Sequence, residues 1–411
     1  MSEPELSLST LTERPVGVPV RSWLQGVPVP EPAWRQLEAV AELPIVFKQV
    51  VGLPNLQEGR GTPGGSVVAT FRAVIPAAIG TDIGCGMIAC KTSLMASDLP
   101  ADLTPWRQAI ERAVPHGRSV GPRDQGVWGE AVPILIEQVW SSTLAEPYRA
   151  LCRLYPALSR APGLRQLGTL GSGNHFIELH LDERGAVWVL IHAGSRGPGK
   201  AISRLFTELA RRSSRRRDPS LPDRDLAYLE EGSRHFEPFL RAVQWARHYA
   251  QLNRELVLEQ VLAMLRCITP RPFSSHLDVV TIRHNDLAEE RHFGHRVRVA
   301  RKSAQRLSRG DRGIVAGAIG SPSYLVRGLG SPASFESCAS GCGRVMSRQE
   351  ARLQLDPDRH LAALSGVACR RDATLLAESP LAYRNVRAVM AAQADLIEVE
   401  HTLRPVLSVK G

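Results

Sequence analysis

Hydrophobic positions change their period several times along the chain, and each change marks an element. Over residues 238–266 apolar side chains recur every three to four positions, with Val243, Ala246, Ala250, Val257, Val261 and Met264 on one face, which predicts a single long amphipathic helix. Shorter stretches of helical spacing cover residues 103–114, about 133–155, 202–212, 347–355 and 380–394. Short apolar runs bounded by Gly, Pro or Arg predict strands at residues 44–51, 65–71, 187–191, 279–282, 297–299, 313–318, 324–326 and 402–409. Residues 1–30 are rich in Pro and Val without a helical period, which predicts edge strands or, over residues 1–20, an extended arm. No repeat and no low-complexity linker interrupts the pattern; the basic residues 211–217 are the one candidate flexible loop.

Potential metal ligands occupy sharp turns between these elements. They are Asp82 and Cys85 in Thr-Asp-Ile-Gly-Cys-Gly-Met, His175 in Gly-Ser-Gly-Asn-His-Phe, His192 in Ile-His-Ala-Gly-Ser-Arg-Gly, and His284 in Arg-His-Asn. A carboxylate, a thiolate and three imidazoles suit one or two divalent transition metals, and Asp82 and Cys85 can place hard oxygen and soft sulfur on one ion. Spacing alone leaves a metal site and satisfied core residues both open. His116, His235, His248, His276 and His360 lie on plainer runs and are read as core histidines. Because the candidate ligands straddle every possible boundary, residues 1–411 are expected to form one integrated domain of strands and helices.

Two other motifs compete. Gly194-Ser-Arg-Gly-Pro-Gly-Lys200 satisfies G-x-x-x-x-G-K between a strand and a helix, but Ala201 lacks the Mg²⁺-holding hydroxyl and Pro198 lacks an N–H, so a nucleotide P-loop is disfavoured. Cys338 and Cys342 resemble a zinc half-site with no matching second pair. Charge then adds to the picture. The formal net charge is +10, and residues 291–312 hold seven arginines and one lysine against the single acid Asp311. A solvated face is the default for such a run; a groove tracking a nucleic-acid backbone is the reading the net charge favours. Seven scattered cysteines argue against a disulfide framework, and neither a signal peptide nor a membrane-spanning run is visible, so a cytoplasmic protein is expected.

Taken together, Asp82-Ile-Gly-Cys-Gly-Met87, Leu170-Gly-Ser-Gly-Asn-His-Phe-Ile-Glu178, His192-Ala-Gly-Ser-Arg196, Val326-Arg-Gly-Leu-Gly330, Gly343-Arg-Val-Met-Ser-Arg348 and Val409-Lys-Gly411 resemble the RtcB family of RNA ligases from about residue 20 onward. The resemblance implies an α+β fold of layered antiparallel sheets and helices around a central metal pocket. It implies an enzyme that uses GTP and Mn²⁺ to join an RNA 3′-phosphate or 2′,3′-cyclic phosphate to a 5′-hydroxyl, in tRNA splicing or RNA repair. Asp82, Cys85, His175, His192 and His284 then match manganese ligands, one ion or two, although the same donors suit Zn²⁺. Asn174 matches an amide at the triphosphate, and Phe176, Glu178, Ser323 and Lys410 fall where guanine is held. Arg344 also borders the nucleotide, and Arg196, Arg344 and Arg348 fall where RNA phosphate is gripped.

Three positions depart from the family. Ser340 stands where the family carries the histidine that accepts GMP, Asn55 where an aspartate orients that histidine, and Ala318 where a serine meets the nucleotide. A serine hydroxyl needs a base or metal to act as nucleophile, so the usual guanylylation route is expected to be lost while phosphate-end binding is kept. Three readings stay open: ligation with Ser340 as acceptor, metal-dependent phosphoesterase action on RNA ends, and end binding without turnover. An activating protein partner is also left open.

Overall fold

The computed structural model describes residues 8–117, 126–129, 131–214 and 221–411. Two antiparallel-rich sheets and a set of helices make an α+β architecture. The six-stranded sheet runs Thr10–Thr12, Val20–Ser22, Val46–Gln57, Gly64–Thr70, His295–Lys302, Asn285–His292, with one parallel pairing between Val20–Ser22 and Val46–Gln57. The predicted N-terminal arm thus begins as edge strands; residues 1–7 lie outside the described residues. The seven-stranded sheet runs Val279–Arg283, Gly86–Met95, Ala186–Ala193, Phe176–Leu181, Ile397–Lys410, Ser323–Gly328, Arg312–Val315. Ala186–Ala193 and Phe176–Leu181 are buried along their whole length, because one face packs on a helix and the other on further core.

The long helix is Phe236–Ile268. Pro238 is tolerated in its first turn, and it stops where Thr269 precedes Pro270. Its first half packs with Ile202 and Phe206 of the helix Arg196–Ser214, and its second half, from Val257 to Leu265, packs on Val187, Val189 and Ile191 of the seven-stranded sheet. One helix therefore joins two apolar cores.

Several expectations change. The basic residues 211–214 continue the helix Arg196–Ser214, so a flexible loop there is wrong for them, while residues 215–217 lie outside the described residues. The strand expected over 313–318 ends at Val315, since Ala316 makes only an isolated bridge to Gly341. The helix expected over 380–394 is a 3-10 turn, Pro380–Ala382, followed by Val386–Ala392, whose first turn is capped by the Asn385 side chain. His248 and His276 are exposed and His116 and His235 half-buried, so of the five histidines read as core only His360 is buried.

The basic run at 291–312 is not a free groove. Arg296 and Arg298 pair with Glu289, Arg301 with Glu290, Arg306 with Glu336, and Arg312 with Asp278 and Glu400. Most of its charge is neutralised within the fold.

Candidate metal centre and adjoining cleft

The sheet registers gather the candidate ligands. Cys85 precedes Gly86, which pairs with Arg283, and His284 follows Arg283. His192 pairs with both Met87 and Phe176, and His175 precedes Phe176. Cys85, His175 and His284 from turns at strand ends, and His192 from within the strand Ala186–Ala193 rather than from the expected turn, thus meet at one end of four neighbouring strands. Cys85 Sγ lies 3.4 Å from His175 Nε2 and 3.3 Å from His192 Nε2, His192 Nε2 lies 3.2 Å from His284 Nε2, and Asp82 Oδ2 lies 3.0 Å from His175 Nε2.

This donor set fits a cation. His175 Nδ1 donates to the Leu170 carbonyl at 2.8 Å and His192 Nδ1 to the Asn174 carbonyl at 3.0 Å, which leaves both Nε2 lone pairs aimed at the cluster. Lone pairs converging on a thiol and a carboxylate repel one another unless a positive charge lies between them. The spacings also match the edge of a tetrahedron with metal–ligand bonds of about 2.0–2.3 Å. Burial and then His284 and His175 hold His192 well below the usual imidazole range, and burial with Arg254 takes His284 to about 3, so both rings are neutral and able to ligate. Burial pushes the Cys85 thiol well up, with Asp82 adding to it. Burial also works against the Asp82 carboxylate but is outweighed by the hydrogen bond and charge of His175 when that ring carries a proton on Nε2, the proton a cation would displace, so the carboxyl lies below its ordinary value.

Two residues that sequence reasoning missed hold the ligand turns in place. Asn253 and Arg254 are buried in the middle of the long helix. The Asn253 amide accepts from the Gly168 and Thr169 N–H groups at 2.7 and 3.2 Å and donates to the Thr169 and Gly194 carbonyls at 3.1 and 3.2 Å. Arg254 Nη1 donates to the Gly84 and Ala193 carbonyls at 2.9 and 3.1 Å. These contacts brace the segments that lead to His175, His192 and Cys85. A polar pair interrupting the Ala250-to-Val257 face was the available signal.

The glycine-rich stretch after His192 serves Asp82, not a phosphate. Ser195 donates from its N–H and hydroxyl to Asp82 Oδ1 at 2.9 and 3.1 Å, and the Gly197 N–H donates to Gln166. A Cβ at Gly194 would lie 2.3 Å from Asp82 Oδ2, so glycine is needed for that approach. Cys338 and Cys342 are buried free thiols, and burial pushes them up to about 12 and about 11. They do not join the ligand cluster.

A cleft opens beside the metal residues, lined among others by Asn55, Asn174, Phe176, Ala318, Ser340 and Lys410. Lys410 Nζ sits 4.6 Å from the centre of the Phe176 ring. Ser340 is 5% exposed, and its hydroxyl makes no hydrogen bond among the described residues. Asn55 Nδ2 donates to the Ser303 carbonyl at 2.7 Å, while its buried Oδ1 has no partner. Glu178 and Ser323 lie behind the cleft wall. Glu178 is held between His180 at 2.9 Å and Ser408 at 2.8 Å, and Ser323 Oγ accepts from the Gly317 N–H at 3.1 Å.

The three arginines differ in their freedom. Arg344 spends its donors on Met346, Ala377, Glu378 and Tyr383. Arg196 donates to Thr169 and to the Gly126 carbonyl. Arg348 pairs through Nε with Glu378 at 2.6 Å but is 42% exposed, so its terminal nitrogens are open.

The chain matches the family described as tRNA-splicing ligase RtcB over residues 36–411. It is 44% identical over 399 residues to the RNA-splicing ligase RtcB of Escherichia coli (strain K12), covering 96% of this chain and 97% of that protein. The RNA-splicing ligase RtcB1 of Escherichia coli strain ATCC 25922 is similar to the same extent, 44% over 399 residues with 96% and 97% covered. Among the described residues, no helix is long and apolar enough to cross a membrane.

Proposed function

Because this chain belongs to the RtcB family, whose members are metal-dependent ligases, we propose that it acts in the cytoplasm on RNA 3′-phosphate or 2′,3′-cyclic phosphate ends and 5′-hydroxyl ends, with Mn²⁺ and GTP, as in tRNA splicing or RNA repair. The observation that carries this reading is the convergence of Asp82, Cys85, His175, His192 and His284 beside a cleft that presents Asn174, Phe176 and Lys410. A divalent cation on those donors supplies Lewis-acid neutralisation of a phosphoryl group.

The chain's own residues do the rest. Asn174 turns its carbonyl to His192 and faces the cleft on the triphosphate side, Phe176 offers an aromatic face for a base, and Lys410 holds an ammonium over that ring on the guanine side. Glu178 and Ser323 act from behind, by holding the strand Ile397–Lys410 and the turn at Gly317. Arg348 is the arginine free to meet an RNA phosphate, with Arg344 fixing the segment that leads to it and Arg196 bracing the Asp82 side.

Ser340 is the acceptor of GMP in this reading, and among the described residues its hydroxyl has no hydrogen-bond partner to take its proton. That specific observation favours a second reading, in which the same pocket binds RNA ends, or hydrolyses their phosphates, without guanylylation. Incubation with labelled GTP and Mn²⁺ separates the two. An adduct lost in Ser340→Ala supports ligation through serine. Absence of any adduct, with salt-sensitive binding of RNA ends intact, supports the second.

A further inference from the structure

Beside Thr81, the neighbour of Asp82, lies a hollow lined by Arg60, Thr81, Ser203, Arg204, Thr207 and Lys302, among others. Lys302 closes one side of it. Its ammonium donates to the Arg60 carbonyl at 2.9 Å and the Thr62 carbonyl at 2.6 Å, which uses two of its three hydrogens. No carboxylate pairs with it among the described residues. The loop around it is built to this contact, since a Cβ at Gly59 would stand 2.9 Å from Lys302 Nζ.

Two guanidinium groups complete the charge. Arg60 spends only Nε on Asp225, at 2.9 Å, and is 49% exposed. Arg204 projects from the helix Arg196–Ser214, exposed and without an ion pair among the described residues. No acid is among the residues lining the hollow, and Asp225, the partner of Arg60, is also held by Arg211. Three cations thus face a concave space with hydroxyls from Thr81 and Thr207 and no free carboxylate, an arrangement that costs electrostatic energy until an anion enters. Burial, with Arg60 adding to it, depresses the Lys302 ammonium to about 7, the mark of a cation short of a counter-charge.

We propose that this hollow is a phosphate-binding site, with Lys302 half-buried against it and Arg60 and Arg204 at its rim. Phosphate fits better than a carboxylate because several donors approach from different directions, and a tetrahedral oxyanion can accept them all. The site is wired to the metal centre through adjacent residues: Thr81 precedes Asp82, and Lys302 precedes Ser303, whose carbonyl holds Asn55. The phosphate can be free or part of an RNA backbone; only the second source rests on the RNA-end reading above.

The test uses the full chain loaded with Mn²⁺. Inorganic phosphate is titrated calorimetrically into the parent protein, Arg204→Ala and Lys302→Met, and binding of a fluorescent RNA oligonucleotide with a 3′-phosphate is followed over a salt series. Each substitution is expected to weaken phosphate binding by about tenfold or more, the effect of one lost charge-assisted contact. If the ligand is an RNA phosphate, Arg204→Ala lowers the log–log salt slope of RNA binding by about 1. An unchanged slope with phosphate binding lost identifies a free phosphate and keeps the site. Absence of saturable phosphate binding, or binding unaltered in Arg204→Ala, overturns the proposal. Arg204 is exposed and its replacement leaves the core intact, so failure of Lys302→Met to fold does not block the test. Guanylylation is not measured, so failure of the ligase reading leaves this outcome readable.

Discussion

Replacing Asn253 by alanine should loosen the metal centre without touching a ligand. The substitution removes four hydrogen bonds and leaves the Gly168 and Thr169 N–H groups and the Thr169 and Gly194 carbonyls buried without partners. At about 0.5–1.5 kcal/mol net for each bond, the loss is about 2–6 kcal/mol. Unfolding entropy of about 2.1 cal/mol/K per residue gives this chain roughly 0.9 kcal/mol/K, so the melting temperature should fall by roughly 2–7 °C. The same bonds brace the turns that present His175 and His192, and outer supports of this kind change metal affinity by about 10–100-fold. Calorimetric melting and metal titration on the same preparations measure both effects. Asn253→Asp keeps the shape and the acceptors but sets a carboxylate against two carbonyls, and should lose at least as much. An Asn253→Ala protein that melts within about 1 °C of the parent and binds metal undiminished would refute the bracing role.

Other substitutions probe the remaining links. Cys85→Ala should lower retained metal by about tenfold or more after dialysis, read by elemental analysis; full retention would remove Cys85 from the ligand set. Stripping the ion with a chelator should lower the melting temperature of the parent and leave Cys85→Ala little changed. Ser340→His combined with Asn55→Asp restores an imidazole and its orienting carboxylate, and labelled GTP with Mn²⁺ should give an adduct stronger than the parent's; no adduct would mean that the cleft itself excludes the nucleotide. For Glu290, burial is outweighed by His292 and Arg301, and its carboxyl sits at about 2 against an ordinary 4.5. A depressed folded value means stability is present above pH about 4.5 and lost as pH falls toward about 2, worth about 3 kcal/mol. Glu290→Gln should therefore flatten the acid limb of the stability profile, and an unchanged limb would count against the pair.

The sequence was most legible where one period ran long. The helix Phe236–Ile268 could be read from its apolar face, the strand around residues 187–191 from an unbroken apolar run, and that around 402–409 from a mostly apolar one. The strand Asn285–His292 could not, because its buried Glu290, which also holds His292, is satisfied by Arg301 from the neighbouring strand, a partner that the strand's own sequence does not contain. The ligands were visible as residue types in turns, but their convergence depends on pairings between strands far apart in the chain. The basic run at 291–312 was misjudged for a related reason. Its counter-charges, Glu289, Glu290, Asp278, Glu336 and Glu400, all fall outside the window in which the charge was counted.

The uninterrupted helix that threads both apolar interiors also carries the amide and guanidinium mooring the ligand turns. No single cut can therefore yield an independently folding half that still captures ions; a nick within the helix should release cation and packing together. Change of chemistry in this scaffold is channelled instead to the cleft lining. Ser340, Asn55 and Ala318 lie there, where a side chain can be exchanged while the framework stands.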